Sequence, residues 1–199
     1  MNNKIKIKIN KIKKLNKNKK LNKNTKIKES KEKLNDTLLY IVNLLIKNNL
    51  KNWFIGYGTL LGIIRENSCI DKDDDIDIII DKEYFNKILD ILKKNNIQTT
   101  KAFNIKDSNK IIKTVPTDQF ASIDFYCADY NENNTSFNDT WEKVLWTNCK
   151  INNNFIKKEW NNVILNIPYD FELKLKRRYG ETWMIPQDSK GVMPRLKII

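Results

Sequence analysis

The chain contains no histidine among its 199 residues. Imidazole-activated nucleophiles, histidine proton shuttles and histidine-ligated zinc are thereby excluded. Cysteine is scarce as well. Cys69, Cys127 and Cys149 are odd in number and lack C-x-x-C spacing, so neither a disulfide framework nor a cysteine-only zinc knuckle is expected, and they read as reduced thiols filling the core. Long hydrophobic runs are absent. The longest uncharged apolar-rich stretch, residues 53–64, has 12 residues including three glycines, well short of the roughly 20 needed to span a bilayer. The N-terminus never builds the apolar segment of a secretory signal, and a cytoplasmic location is the expectation.

Acidic charge is missing from the first part of the chain and basic excess is missing from the rest. The formal net charge is +13, yet residues 1–33 hold 14 lysines against Glu29 and Glu32 alone, leaving 23 basic and 22 acidic groups in residues 34–199. A nucleic-acid-binding domain carries its positive charge on its own folded surface. Here the charge belongs to an appendage, so no specific nucleic acid is expected as partner. Weak, salt-dependent contact of that segment with anionic surfaces is the most it implies. Residues 1–29 read as a disordered Lys/Asn/Ile-rich low-complexity tail with too little apolar area to pack, and residues 30–199 as one domain.

From Ser30 the pattern turns helical: Leu34, Leu38, Ile41, Val42 and Leu45 make one apolar stripe, ended by Asn48-Asn49. Residues 53–57 read as a short buried strand, residues 60–65 as a short helix, and residues 73–80 as a strand by their β-branched density. Asp81 can cap a helix with Tyr84, Phe85, Ile88, Leu89 and Leu92 on its apolar face. Weaker strands are expected at 99–104 and 111–115 and a stronger one at 121–126. Residues 130–154 read as an Asn-rich loop around a short 141–146 segment. Pro168 and Gly180 bracket a last helix over 169–179. The order predicts an α+β domain with a mixed sheet.

The chemistry concentrates at Asp73-Asp74-Asp75-Ile76-Asp77-Ile78. Alternation along a strand sends Asp73, Asp75 and Asp77 to one face. Carboxylates so grouped repel unless cations sit among them, and a hard divalent ion accepts all-oxygen ligands. A solvated acidic turn is the plain alternative, but the isoleucine frame ties Asp75 and Asp77 to a core strand. Upstream, Gly56-x-Gly58-Thr59 offers N–H groups and a hydroxyl beside a helix start, a place suited to phosphate. Downstream, Asp124 is a lone carboxylate in an apolar strand and needs a partner or a metal.

This layout is that of the nucleotidyltransferase superfamily with the DNA polymerase β-like fold, and within it the sequence resembles the LicD family, whose relatives include fukutin-type proteins. The resemblance lies in Gly58-Thr59-Leu60-Leu61-Gly62-Ile63-Ile64-Arg65, the acidic run seven residues on, Ser122-Ile123-Asp124-Phe125, and Ile167-Pro168-Tyr169-Asp170 leading through Arg177-Arg178-Tyr179-Gly180 to Trp183-Met184-Ile185-Pro186. It departs at Asp71-Lys72, where relatives carry Pro-Trp. The resemblance implies a mixed sheet flanked by helices and transfer of a phospho-alcohol, of phosphocholine or polyol-phosphate type, from a CDP-linked donor to a hydroxyl acceptor such as a glycan. It implies two Mg²⁺ or Mn²⁺ ions on Asp73, Asp75, Asp77 and Asp124, with Asp75, Asp77 and Asp124 catalytic and Asp124 the general base. Gly58 and Thr59 would cradle phosphate. Arg65, Arg177, Arg178 and Tyr179 would meet the substrate, unless the arginines serve as structural ion pairs. Two other functions stay open: a nucleotidyltransferase that moves the nucleotide itself onto a small molecule, protein or RNA, and a non-catalytic binding protein with a basic anchoring tail.

Overall fold

The structure, a computed structural model, describes residues 28–100, 109–186 and 196–199. The tail up to residue 27 and residues 101–104 of the strand expected at 99–104 lie outside the described residues. Helix α1 (Lys31–Lys47) starts where Ser30 accepts a hydrogen bond from the Lys33 N–H, satisfying one of the unpaired donors of the first turn. Its stripe of Leu34, Leu38, Ile41, Val42 and Leu45 is fully buried. Strand β1 (Trp53–Ile55) leads directly into helix α2 (Tyr57–Glu66). That helix begins three residues earlier than expected, because Tyr57 enters it at φ 40° with its ring packed between Tyr126 and Trp146.

Strand β2 (Asp75–Asp81) lies inside the sheet, with a strand paired on each side. Its isoleucines are buried on both faces, as expected of a strand covered on both sides. A 3₁₀ turn (Lys82–Tyr84), capped by the Asp81 carboxylate, leads into helix α3 (Phe85–Lys94). Strands β3 (Ile111–Lys113) and β4 (Ser122–Asn131) follow, and Thr99 bridges Thr114 in isolation. Strand β4 runs parallel to β2, β1 is antiparallel to β2, and β3 is antiparallel to β4. This is the mixed sheet flanked by helices that the sequence predicts.

The expected loop over 130–154 is instead partly strand. Strands β5 (Ser136–Asp139) and β6 (Val144–Trp146) extend the sheet in the order β1-β2-β4-β5-β6. Phe137 and Trp146 are buried against Phe54; with so few apolar residues in each short strand, tertiary packing outweighs the loop-like asparagine content. Strands β7 (Ile156–Trp160) and β8 (Val163–Ile167) form a separate hairpin, joined by Asn161-Asn162, both at positive φ. That is the backbone a two-residue hairpin turn demands, and asparagine tolerates it. The hairpin is tied to β1 by the Asn166 amide donating to the Trp53 carbonyl at 2.8 Å. Helix α4 (Phe171–Tyr179) ends at Gly180, whose φ of 89° explains the glycine. No helix among the described residues is long and apolar enough to cross a membrane.

Candidate active site

The parallel register of β2 and β4 places Asp77 directly opposite Asp124 and Asp75 opposite Ser122. Directly paired residues share a sheet face, so two carboxylates far apart in sequence become neighbours. Asp77 is 6% exposed and held from several directions. Gly58 N–H donates to its Oδ2 at 2.9 Å, and the Tyr126 hydroxyl donates to its Oδ1 at 3.1 Å. Its own N–H donates to Thr59 Oγ1 at 2.8 Å, and its carbonyl accepts from Gly56 N–H. The start of α2 is therefore fastened to the carboxylate strand. Burial first, then the Asp75 and Asp73 charges, raises the Asp77 pKa well above the carboxylate range, while the Tyr126 and Gly58 hydrogen bonds pull the other way.

Asp73 does not lie on the strand, which begins at Asp75. It still reaches the site, since a Cβ added to Gly58 would meet Asp73 Oδ2 at 2.7 Å and Asp77 Oδ2 at 3.3 Å. Glycine at 58 is thus a requirement of close approach. Because alternation does not hold ahead of Asp75, Asp74 also joins. Asp73, Asp74 and Asp75 bring one carboxylate oxygen each within 4.8 Å of one another. Asp124 is 1% exposed; its Oδ2 pairs with the Lys113 ammonium and its Oδ1 has no hydrogen-bond partner. All-carboxylate donors, one of them a buried oxygen with spare acceptor capacity, suit a hard divalent cation such as Mg²⁺ or Mn²⁺.

The remaining expected residues divide. Thr59 is 2% exposed and its hydroxyl is engaged by β2, so it anchors the Asp77 main chain and presents no hydroxyl to a ligand. The Gly58 N–H is likewise directed at Asp77. Arg65 lies at the other end of α2, roughly 10 Å along the axis from Gly58 at 1.5 Å per residue, and its Nε donates to Glu66 at 3.0 Å. It is not brought to the carboxylates. Arg178 is buried, pairs with Glu142 at 3.3 Å and lies over the Tyr57 ring at 4.9 Å. Arg177 and Tyr179 are half-buried beside it on α4.

Sequence reasoning missed the aromatic support of the site. Tyr126 lies two residues after Asp124, on the same strand face, and period-two alternation could have found it. Its hydroxyl pKa is raised, by burial before the Asp77 and Asp75 charges, so it stays protonated and donates to Asp77. Tyr57 packs edge-on against Tyr126 at 4.8 Å and donates its hydroxyl to buried Asp139 at 2.5 Å. The N–H groups of Trp141 and Glu142 donate to the other Asp139 oxygen. Nothing local in the sequence marks Asp139 or Lys113; only strand pairing reveals them. The three cysteines are buried and free, with burial pushing each thiol up to about 12, as core filler should be.

Among solved structures, the chain is similar to the lincosamide antibiotic adenylyltransferase LnuA bound to lincomycin, at 15% identity over 66% of this chain and 78% of that one, with a TM-score of 0.45. It is also similar to the solution structure of the antibiotic-resistance factor ANT(2'')-Ia, at 12% identity over 66% of this chain and 63% of that one, with a TM-score of 0.46. No curated protein matches it significantly. The model of the LicD/FKTN/FKRP nucleotidyltransferase domain matches residues 51–186, and with the acidic strand, the glycine-led helix and the late Asp124 strand all inside that span, the chain belongs to this family.

Proposed function

We propose that this transferase moves a phospho-alcohol group from a CDP-linked donor to a hydroxyl acceptor, a glycan being the acceptor class that family membership favours. The observation that carries the proposal is the pairing of Asp124, with its buried, unpartnered oxygen, across from Asp77, whose carboxylate lies with that of Asp73 against Gly58 at the start of α2. In this reading Asp73, Asp75, Asp77 and Asp124 hold one or two Mg²⁺ or Mn²⁺ ions, which when bound neutralise a pyrophosphate and acidify a hydroxyl. Gly58 and Tyr126 fix the orientation of the Asp77 carboxylate, and Thr59 fixes the main chain behind it. Asp124 Oδ1 accepts the proton of the attacking hydroxyl. Arg178, over the Tyr57 ring, and its α4 neighbours Arg177 and Tyr179 would meet a substrate's anionic groups.

The test is to supply CDP-choline or CDP-ribitol with Mg²⁺ and an oligosaccharide acceptor and to follow CMP release. CMP release that depends on acceptor supports the reading. Pyrophosphate release from a nucleoside triphosphate, with the nucleotide retained on the product, would replace it by nucleotidyl transfer. Cation and nucleotide binding without turnover of either donor class would leave a non-catalytic binding protein.

A further inference from the structure

Lys113 ends β3, and the antiparallel pairing of β3 with β4 sets it directly across from Asp124. Asp77 is across from Asp124 on the other flank of β4. Asp124 thus stands between a candidate cation ligand and an ammonium. The Lys113 ammonium pairs with Asp124 Oδ2, while Oδ1 is buried without a partner. The two side chains differ in access: that of Asp124 is 1% exposed and that of Lys113 is 28% exposed. A buried carboxylate needs a compensating charge. Here that charge rides on a flexible four-carbon stem that reaches solvent, so it can withdraw without moving the strand.

We propose that Lys113 is a tethered counter-ion of the carboxylate site: it neutralises Asp124 in the cation-free protein and yields Oδ2 when a divalent cation loads. The step is an exchange of one cation for another, with no proton moved. The ammonium holds the buried carboxylate in place until loading and sets the affinity of the site, keeping Asp124 from capturing a cation tightly on its own. The proposal rests on reading the carboxylate cluster as a cation site, and the experiment separates the two.

Mn²⁺ alone is titrated into the full chain at fixed ionic strength, and free Mn²⁺ is followed by its electron paramagnetic resonance signal. The forms compared are wild type, Lys113→Met, Lys113→Arg, Asp75→Asn and Lys72→Met. Lys113→Met is expected to bind Mn²⁺ roughly tenfold more tightly than wild type, the effect of removing one close competing charge. Lys113→Arg, which keeps the charge, is expected to bind no more tightly than wild type. Lys72 precedes the acidic run but is exposed and weakly paired with Asp71 at 3.9 Å, so Lys72→Met reports the loss of a nearby solvent-screened lysine charge that does not touch Asp124 and is expected to change affinity less than about twofold. Equal or weaker binding by Lys113→Met, or an equal gain in Lys72→Met, overturns the proposal while leaving the cation site intact if Asp75→Asn loses binding. No Mn²⁺ binding by any form overturns both. If Lys113→Met unfolds without metal because Asp124 is left unpaired, rescue of its melting transition by Mn²⁺ supports the proposal and failure of rescue overturns it.

Discussion

Asp77 accepts hydrogen bonds from the start of α2 and from Tyr126 while lying beside the charges of Asp75 and Asp73. Removing one negative charge from this group should relieve the cation-free protein. Asp75→Asn and Asp77→Asn are each expected to abolish CMP release at saturating Mg²⁺ while leaving the melting temperature of the apo form unchanged or higher. Near-normal turnover in either variant would end the assignment of both carboxylates as cation ligands. Asp139 poses a different question, because it is fully buried and accepts a hydrogen bond from the Tyr57 hydroxyl. Burial raises its pKa above the usual 3.8, against the hydrogen bonds from Tyr57, Trp141 and Glu142. The folded state therefore binds this proton more tightly than the unfolded chain. The resulting stabilisation is complete below about 3.8 and is lost as pH rises through the raised folded value. Urea unfolding of wild type should weaken over that rise, and Asp139→Asn should flatten the slope. An unchanged slope in the variant would assign the acid-side dependence to other groups.

At the scale of elements, two glycines of α2 act on the site through different surfaces. A Cβ at Gly62 would lie 2.6 Å from the Ser68 carbonyl oxygen and 2.9 Å from the Ile70 nitrogen. Both are main-chain atoms of the loop that leads to Asp73, and they cannot swing aside. At Gly58 the obstacle is the end of the Asp73 side chain, at 2.7 Å. Gly62→Ala should therefore cost about 1–3 kcal/mol of stability, as overpacking does, and weaken Mn²⁺ binding with it. Gly58→Ala should weaken Mn²⁺ binding with little change in melting temperature, since it displaces one carboxylate. Paired melting and Mn²⁺ titration curves check this, and equal losses of stability in both variants would refute the distinction. The elements of strong period, α1, β2 and α3, were legible because each buries a long regular stripe. Strands β5 and β6 were not, being only four and three residues long. The turn Asn161-Asn162 carried a hairpin signal that the chain-wide abundance of asparagine masked.

At the scale of the whole molecule, the positive charge and the chemistry occupy different parts of the chain. Deleting residues 1–24 should leave melting temperature and CMP release nearly unchanged and lower the salt needed to elute the protein from an anionic matrix. Deleting residues 1–30 should behave differently. Glu29 is buried, its N–H donates to the Asp73 carbonyl at 2.8 Å, and its carbonyl accepts from Lys72 at 3.0 Å. Ser30 caps α1. Losing these contacts is expected to destabilise the domain by about 1–2 kcal/mol and to loosen the approach to the acidic strand. Differential scanning calorimetry of both truncations decides it, and identical curves would show that Glu29 and Ser30 contribute nothing.

The sequence by itself determined the α1 stripe, the isoleucine strand carrying Asp75 and Asp77 and the family to which these belong, because each rests on local spacing or on ordered motifs; the need for glycine at 58 came from the approach of Asp73 and Asp77 in the folded chain. The sequence also determined that no histidine chemistry operates. Which carboxylates meet was decided by tertiary structure. Asp124 reaches Asp77 through a parallel strand register that no local pattern encodes. Asp74 joins Asp73 and Asp75 because the strand starts two residues later than alternation suggests. Thr59, Arg65 and Arg178 took their partners from packing: the first from the strand it anchors, the second from its helix neighbour Glu66, the third from Glu142 and the Tyr57 ring. Lys113 met Asp124 for the same reason, since a cross-strand pair is a property of the sheet and not of either strand alone.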